Sequence, residues 1–186
     1  MIWRRLVGLV LVASTTLMAS AASSTAIDTG KSRIVATFTQ MNVAVDGHFQ
    51  RFSGNVVYDP SNIAASSAEL SIDTASFDIG DEEYNAEVRK KEWFDTRSHP
   101  TATFKSSAIR PLGADRFEAT GTLSLKGRTQ TVKAPVSVKT EGAARRFEGE
   151  VPISRAAFGL GDPEWNEVLE DKVLVKFIVI VPAGGS

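Results

Sequence analysis

The chain has 186 residues, 42% of them hydrophobic and 23% charged, with a formal charge of -1. That length suits one domain with a sizeable core, and the near-neutral charge excludes a phosphate-neutralising nucleic-acid binder, which needs clustered Lys and Arg. Cysteine is absent, which removes disulfides, thiol nucleophiles, thiolate metal sites and a lipidated cysteine.

In chain order, residues 1–22 read as a secretory signal peptide: Arg4 and Arg5, an apolar run from Leu6 to Met18, then the A-x-A pattern of Ala19-Ser20-Ala21. The run falls short of the about 20 apolar residues a membrane span needs. The expectation is an exported chain, in the periplasm, with residues 23–186 as its single domain.

The exported part reads as strands. Side chains alternate sides along a strand, so a half-buried one shows apolar residues at every second position. From Arg116 to Lys126, Phe117, Ala119, Gly121, Leu123 and Leu125 share one face. The same period places Ala102, Phe104, Ser106 and Ala108 together, then Val132, Ala134, Val136 and Val138, then Val173, Val175, Phe177, Val179 and Val181. Weaker strands cover Ser32–Met41, Gly47–Tyr58, Ser66–Thr74 and Arg145–Ser154. Turn chemistry at Asp59-Pro60-Ser61-Asn62, Pro111-Leu112-Gly113, Lys126-Gly127 and Glu141-Gly142 joins several of them. Pro135 and Pro152 belong at edges, bulges or strand ends, because proline has no N–H for a ladder. Between the third and fourth strands, acids at Asp81, Glu82 and Glu83 and bases at Arg89, Lys90 and Lys91 predict a helix over Asp81–Glu92, with Tyr84 and Val88 inward.

The fold class is therefore all-β: eight antiparallel strands closed into a barrel, with one short helix. Such a barrel is filled by side chains or holds one small ligand. Small residues on the inner faces (Ala36, Ala68, Ala102, Ser106, Ala108, Ala119, Gly121, Ala134 and Gly149) favour a cavity. Phenylalanines could equally fill the bore. Candidate lining residues are Phe38, Phe49, Phe52, Phe104 and Phe117 along the strands, with Trp93, Phe94, Phe158 and Trp165 at a barrel end.

Motifs in order bring a family into view. Gly47-His48-Phe49-Gln50-Arg51-Phe52-Ser53-Gly54 is followed by Leu70-Ser71-Ile72-Asp73-Thr74-Ala75-Ser76, Trp93-Phe94-Asp95 and His99-Pro100-Thr101-Ala102-Thr103-Phe104-Lys105-Ser106. Then come Gly121-Thr122-Leu123-Ser124-Leu125-Lys126-Gly127 and Ser154-Arg155-Ala156-Ala157-Phe158-Gly159-Leu160. Along essentially the whole exported part, the chain resembles the YceI-like family of polyisoprenoid-binding periplasmic proteins. The resemblance implies a lipocalin-like eight-stranded barrel that holds a long isoprenoid in a hydrophobic tunnel. Two departures stand out. Thr39-Gln40-Met41-Asn42 occupies the place where members commonly carry a histidine in the first strand. Glu87-Val88 stands where a His-Leu pair usually ends the helix.

No catalytic constellation is visible. His48 and His99 are the only histidines and make a poor metal inventory, and no Gly-x-Ser-x-Gly elbow occurs. Asp78, Asp81, Glu82 and Glu83 lack a calcium-loop spacing and suit a helix start. Arg155 is expected to pair with Asp95 or Asp171 and lock a loop. The leading functional expectation is a periplasmic carrier or sequestering protein for an isoprenoid lipid such as a quinone or polyprenol. It needs no metal or cofactor, makes no nucleic-acid contact and at most a transient membrane contact; a homodimer is compatible with it. The alternatives are a filled-barrel envelope stress protein acting through protein contacts and, below that, an enzyme on lipid substrates. Intact-mass analysis of exported protein is expected to show cleavage near Ala21 or Ala22.

Overall fold

A computed structural model describes residues 23–183; the expected signal peptide lies outside them. Eleven strands form one antiparallel sheet: β1 (Ser24–Ala26), β2 (Arg33–Gln40), β3 (Val43–Phe49), β4 (Phe52–Val57), β5 (Ser67–Asp73), β6 (Phe77–Asp78), β7 (Thr101–Gly113), β8 (Arg116–Leu125), β9 (Arg128–Glu141), β10 (Ala144–Ser154) and β11 (Leu169–Pro182). The helix α1 (Glu82–Val88) lies between β6 and β7.

The eleven strands are eight chain runs, three of them kinked. β3 and β4 are one run bent at Gln50-Arg51, and β5 and β6 one run bent at a 3-10 turn over Thr74–Ser76. The two bent runs stay paired past the bend, Phe52 opposite Ile72 on one side and Phe49 opposite Phe77 on the other. At the bend, Gln50 N donates to Ser76 O and Asp73 N to Arg51 O, while Arg51 N donates to Ser76 Oγ. β1 and β2 form the third bent run, pairing with β4 and β3 respectively. β11 pairs with β10 and with β2, so the ladder runs full circle and the barrel closes, which leaves few exposed edges.

Closure is looser at one end, the mouth, where β2 meets β3 and where α1 and the 3-10 turns after β10 gather. There β9 and β10 part: their ladder stops at Gly149 opposite Val136. Pro135 and Pro152 sit just past that point, with partners only on Glu118 of β8 and Leu174 of β11. Each missing N–H therefore falls on the side where no ladder runs, a local edge of the kind that proline chemistry requires.

Three expectations need correction. Ala108 is exposed and Ile109 is buried, because a bulge between Ser106 and Ala108 in the pairing with β8 flips the alternation. Pro111 continues β7, and the turn falls after Gly113. On α1 the buried residue is Asn85, whereas Tyr84 is exposed. Asn85 earns its place by hydrogen bonds: its Oδ1 accepts from Ile79 N at 2.8 Å and its Nδ2 donates to Asp78 Oδ1 at 2.8 Å. That bond comes first among the causes holding the Asp78 carboxyl below the usual aspartate range. Asp81 caps the helix, accepting from Glu83 N and Tyr84 N, so the acidic cluster is spent on local structure.

The inner glycines are not voids. A methyl group on Gly121 would lie 2.5 Å from the Phe104 ring, and one on Gly149 would lie 2.7 Å from Phe177. Each ring lies across a neighbouring glycine. Gly121→Val is expected to destabilise the protein by about 2 kcal/mol through overpacking, read as a lower urea midpoint at unchanged slope.

Candidate functional site

Inner side chains line a cavity of about 490 Å³ that runs through the barrel. Its wall is almost wholly apolar. Small residues keep it open: Ala36, Ala68, Ala102, Ala119 and Ala134 face it from five strands. Larger side chains, among them Val136, Phe147 and Val151 toward the far end and Ile72, Phe77 and Leu160 toward the mouth, complete the wall. At the far end Tyr58, Ser66 and Ser67 line it, with the Arg145 guanidinium 5.1 Å over the Tyr58 ring.

Of the nine residues singled out from the sequence, seven face the cavity: Phe38, Phe49, Trp93, Phe94, Phe104, Phe117 and Trp165. Phe52 packs between the two halves of the core, and Phe158 is 1% exposed within it; neither reaches the cavity wall. Phe158 sits in a 3-10 turn over Ala156–Phe158, where β9 and β10 have parted, and fills the space they leave. Phe49, Phe77 and Phe94 form an aromatic group at the mouth, with centroids 4.8 to 6.0 Å apart. Trp93 packs edge-on to Trp165 at 5.3 Å, and its indole Nε1 is buried without an acceptor in the protein.

The mouth opens between β3 and α1. Val43–Gly47 pairs with β2 alone, because β6 reaches only His48 and Phe49. Facing that free edge across the opening are Asp81, Tyr84, Glu87 and Val88, with Gln40 and Val45 on the β2–β3 side and Glu170 at the start of β11. None of these was singled out from the sequence as lining the cavity, although Tyr84 and Val88 were expected on the inward side of the helix. The strand period could have shown Val45 and Gln40, but α1 is too short for its periodicity to be read securely.

Arg155 organises the segment that closes the rest of this end. It is 4% exposed and also touches the cavity. The expected pairing with Asp95 or Asp171 is not what holds it. Its Nε donates to Glu170 O at 3.1 Å, Nη1 to Leu160 O at 2.9 Å, and Nη2 to Asn166 Oδ1 at 2.7 Å and Leu169 O at 3.1 Å. A planar fork of donors can reach four neutral acceptors at once, tying both ends of residues 160–170 to β10. The Asp171 carboxylate instead accepts from Ala156 N and Ser154 Oγ, each at 2.9 Å, and these two bonds lower its pKa. Lys126 closes the same end, donating to Gly159 O and Glu92 O, and burial lowers its pKa.

The sequence profile of the YceI-like domain matches residues 26–180. The chain belongs to the YceI-like family. A UPF0312 protein of Vibrio cholerae is 35% identical over 129 residues, 68% of each chain. The crystal structure of Burkholderia cenocepacia BcnA superposes with a TM-score of 0.80 at 44% identity, covering 83% of this chain and 98% of that one. A polyisoprenoid binding domain from Saccharophagus degradans shares the fold at a TM-score of 0.68 and 20% identity, covering 86% and 98%. The eight-stranded barrel with its helix between the third and fourth runs is thus the family architecture.

Two outcomes check this account of the mouth. Arg155→Ala strands buried acceptors, so it is expected to cost at least about 3 kcal/mol in urea unfolding and to open residues 159–168 to limited proteolysis. Arg155→Lys should recover little of that loss. The folded-state pKa of Asp171 is depressed, so its contribution to stability is present above the unfolded aspartate value and lost as pH falls through the folded one. Thermal melts of Asp171→Asn should accordingly show a shallower loss of stability below about pH 4 than wild type.

Proposed function

We propose that the protein binds an isoprenoid lipid, such as a quinone or polyprenol, inside the barrel and sequesters or carries it in the periplasm without a chemical step. The observation that carries this reading is the apolar cavity. Moving a hydrocarbon chain from water into it is favoured by about 0.8 kcal/mol per CH₂, so a partly enclosed chain binds well with few polar contacts. A filled barrel offers no such space, which sets the carrier reading above a role through protein contacts alone. The polyisoprenoid binding domain from Saccharophagus degradans shares the fold and lends support from a distance. Export rests on residues 1–22, whose basic start, short apolar run and small-residue end have the form of a leader.

Native mass spectrometry with lipid extraction, on protein purified from its own host, tests the reading. A stoichiometric isoprenoid adduct is expected, and Ala119→Phe, which places a ring in the bore, should reduce its occupancy at least tenfold while the far-ultraviolet circular dichroism is retained. A wild-type protein that is free of lipid and takes up neither quinones nor polyprenols would overturn it.

A further inference from the structure

Four large apolar side chains stand out in water among the described residues; Leu112, 44% exposed, lies at the far end of β7, and the other three gather at the cavity mouth. Met41 is 72% exposed, Val43 62% and Tyr84 53%. Met41 and Asn42 form the β2–β3 turn with φ of 49° and 66°, a left-handed pair that usually falls to Asn and Gly. A methionine there gains nothing from the turn geometry, and its side chain is spent on solvent. Val43 has the inward parity of Val45, so the apolar inner face of β3 runs out through the mouth onto the surface. Met41 N donates to Val168 O at 2.8 Å, beside the 3-10 turn that carries Trp165. Tyr84 stands on α1 across the opening.

We infer that this rim docks on a lipid bilayer with zwitterionic head groups, so that cargo passes between membrane and cavity without crossing water. The inference rests on the lipid-binding reading above. Exposed apolar groups around a ligand opening mark an interaction surface, and here that surface is continuous with the cavity wall. The charge around it selects the kind of bilayer. Asp81, Glu87 and Glu170 line the mouth, and the cation among the lining residues is the buried Arg155; outside the lining, Lys90 pairs with Glu87 and Arg89 with Glu82. Carboxylates complement the ammonium ends of zwitterionic head groups and are repelled by anionic ones. Two hairpin side chains and one tyrosine give a brief, collisional contact, well short of the two signals that stable anchoring takes.

The test compares wild type with the double variant Met41→Ser/Val43→Ser. Both positions are exposed, so the melting temperature should hold within a degree or two. Vesicles of phosphatidylethanolamine and phosphatidylcholine carry brominated acyl chains, which quench tryptophan emission on contact. Wild-type emission is expected to be quenched and that of the variant at least fivefold less. This readout needs no cargo, so it stands even if the cavity takes no lipid. With a fluorescent isoprenoid quinone loaded, transfer to vesicles should speed up with vesicle concentration and fall at least fivefold in the variant, while equilibrium quinone affinity stays the same. Adding phosphatidylglycerol at low salt should weaken contact, and salt should relieve the effect. Equal quenching in the two proteins, or transfer that ignores vesicle concentration, would overturn the inference. So would a wild-type dimer by sedimentation that the variant loses, since the rim would then belong to a second copy.

Discussion

Closing eight strand runs into a ring settles the width of the bore through strand number and stagger before any inner side chain is chosen. In this protein the backbone carries the closure. β11 bonds to both β10 and β2, and two bent runs remain paired across their kinks through Gln50, Arg51, Asp73 and Ser76. A fold held by its ladder can leave its centre partly empty, since the strands do not depend on inner side chains meeting across the bore. Alanines on five strands then decide that the bore stays open.

The ends carry the remaining burden. At the far end Tyr58 and its neighbours line the cavity. At the mouth the wall parts between β9 and β10, and an ordered segment has to replace it. Phe158 fills the gap, Arg155 gathers four acceptors, and Lys126 reaches two carbonyls from the opposite hairpin. Buried charge of this kind is costly without a full set of partners, so the segment is fastened in one arrangement. Among the described residues the frame left unfastened is that between β3 and α1, where the cavity meets water and where Met41, Val43 and Tyr84 stand exposed.

Polarity is rationed accordingly. The acids before and within α1 serve the helix start, Asp78 with Asn85 and Asp81 with the first-turn amides. The proposed ligand contact is therefore one of shape and burial, with polar groups kept to the rim and the ends. Such a site tolerates variation in its cargo, because burial is roughly proportional to apolar area and has no direction.

Much of this was legible in the sequence. The period of two along Arg116–Lys126 and Val173–Val181, the turn residues at Lys126-Gly127 and Glu141-Gly142, and the ordered motifs from Gly47 to Leu160 determined the strands, their hairpins and the family. Local side-chain alternation and turn chemistry act over a few residues, so a linear reading captures them. The tertiary structure alone decided that the ring closes through bent runs, that a bulge turns Ala108 outward and Ile109 inward, that Phe52 and Phe158 are core whereas Trp93 and Trp165 face the cavity, and that Arg155 is held by carbonyls in place of a carboxylate. Each of these depends on which distant strand or loop comes alongside, and residues far apart in the chain meet only when the barrel closes.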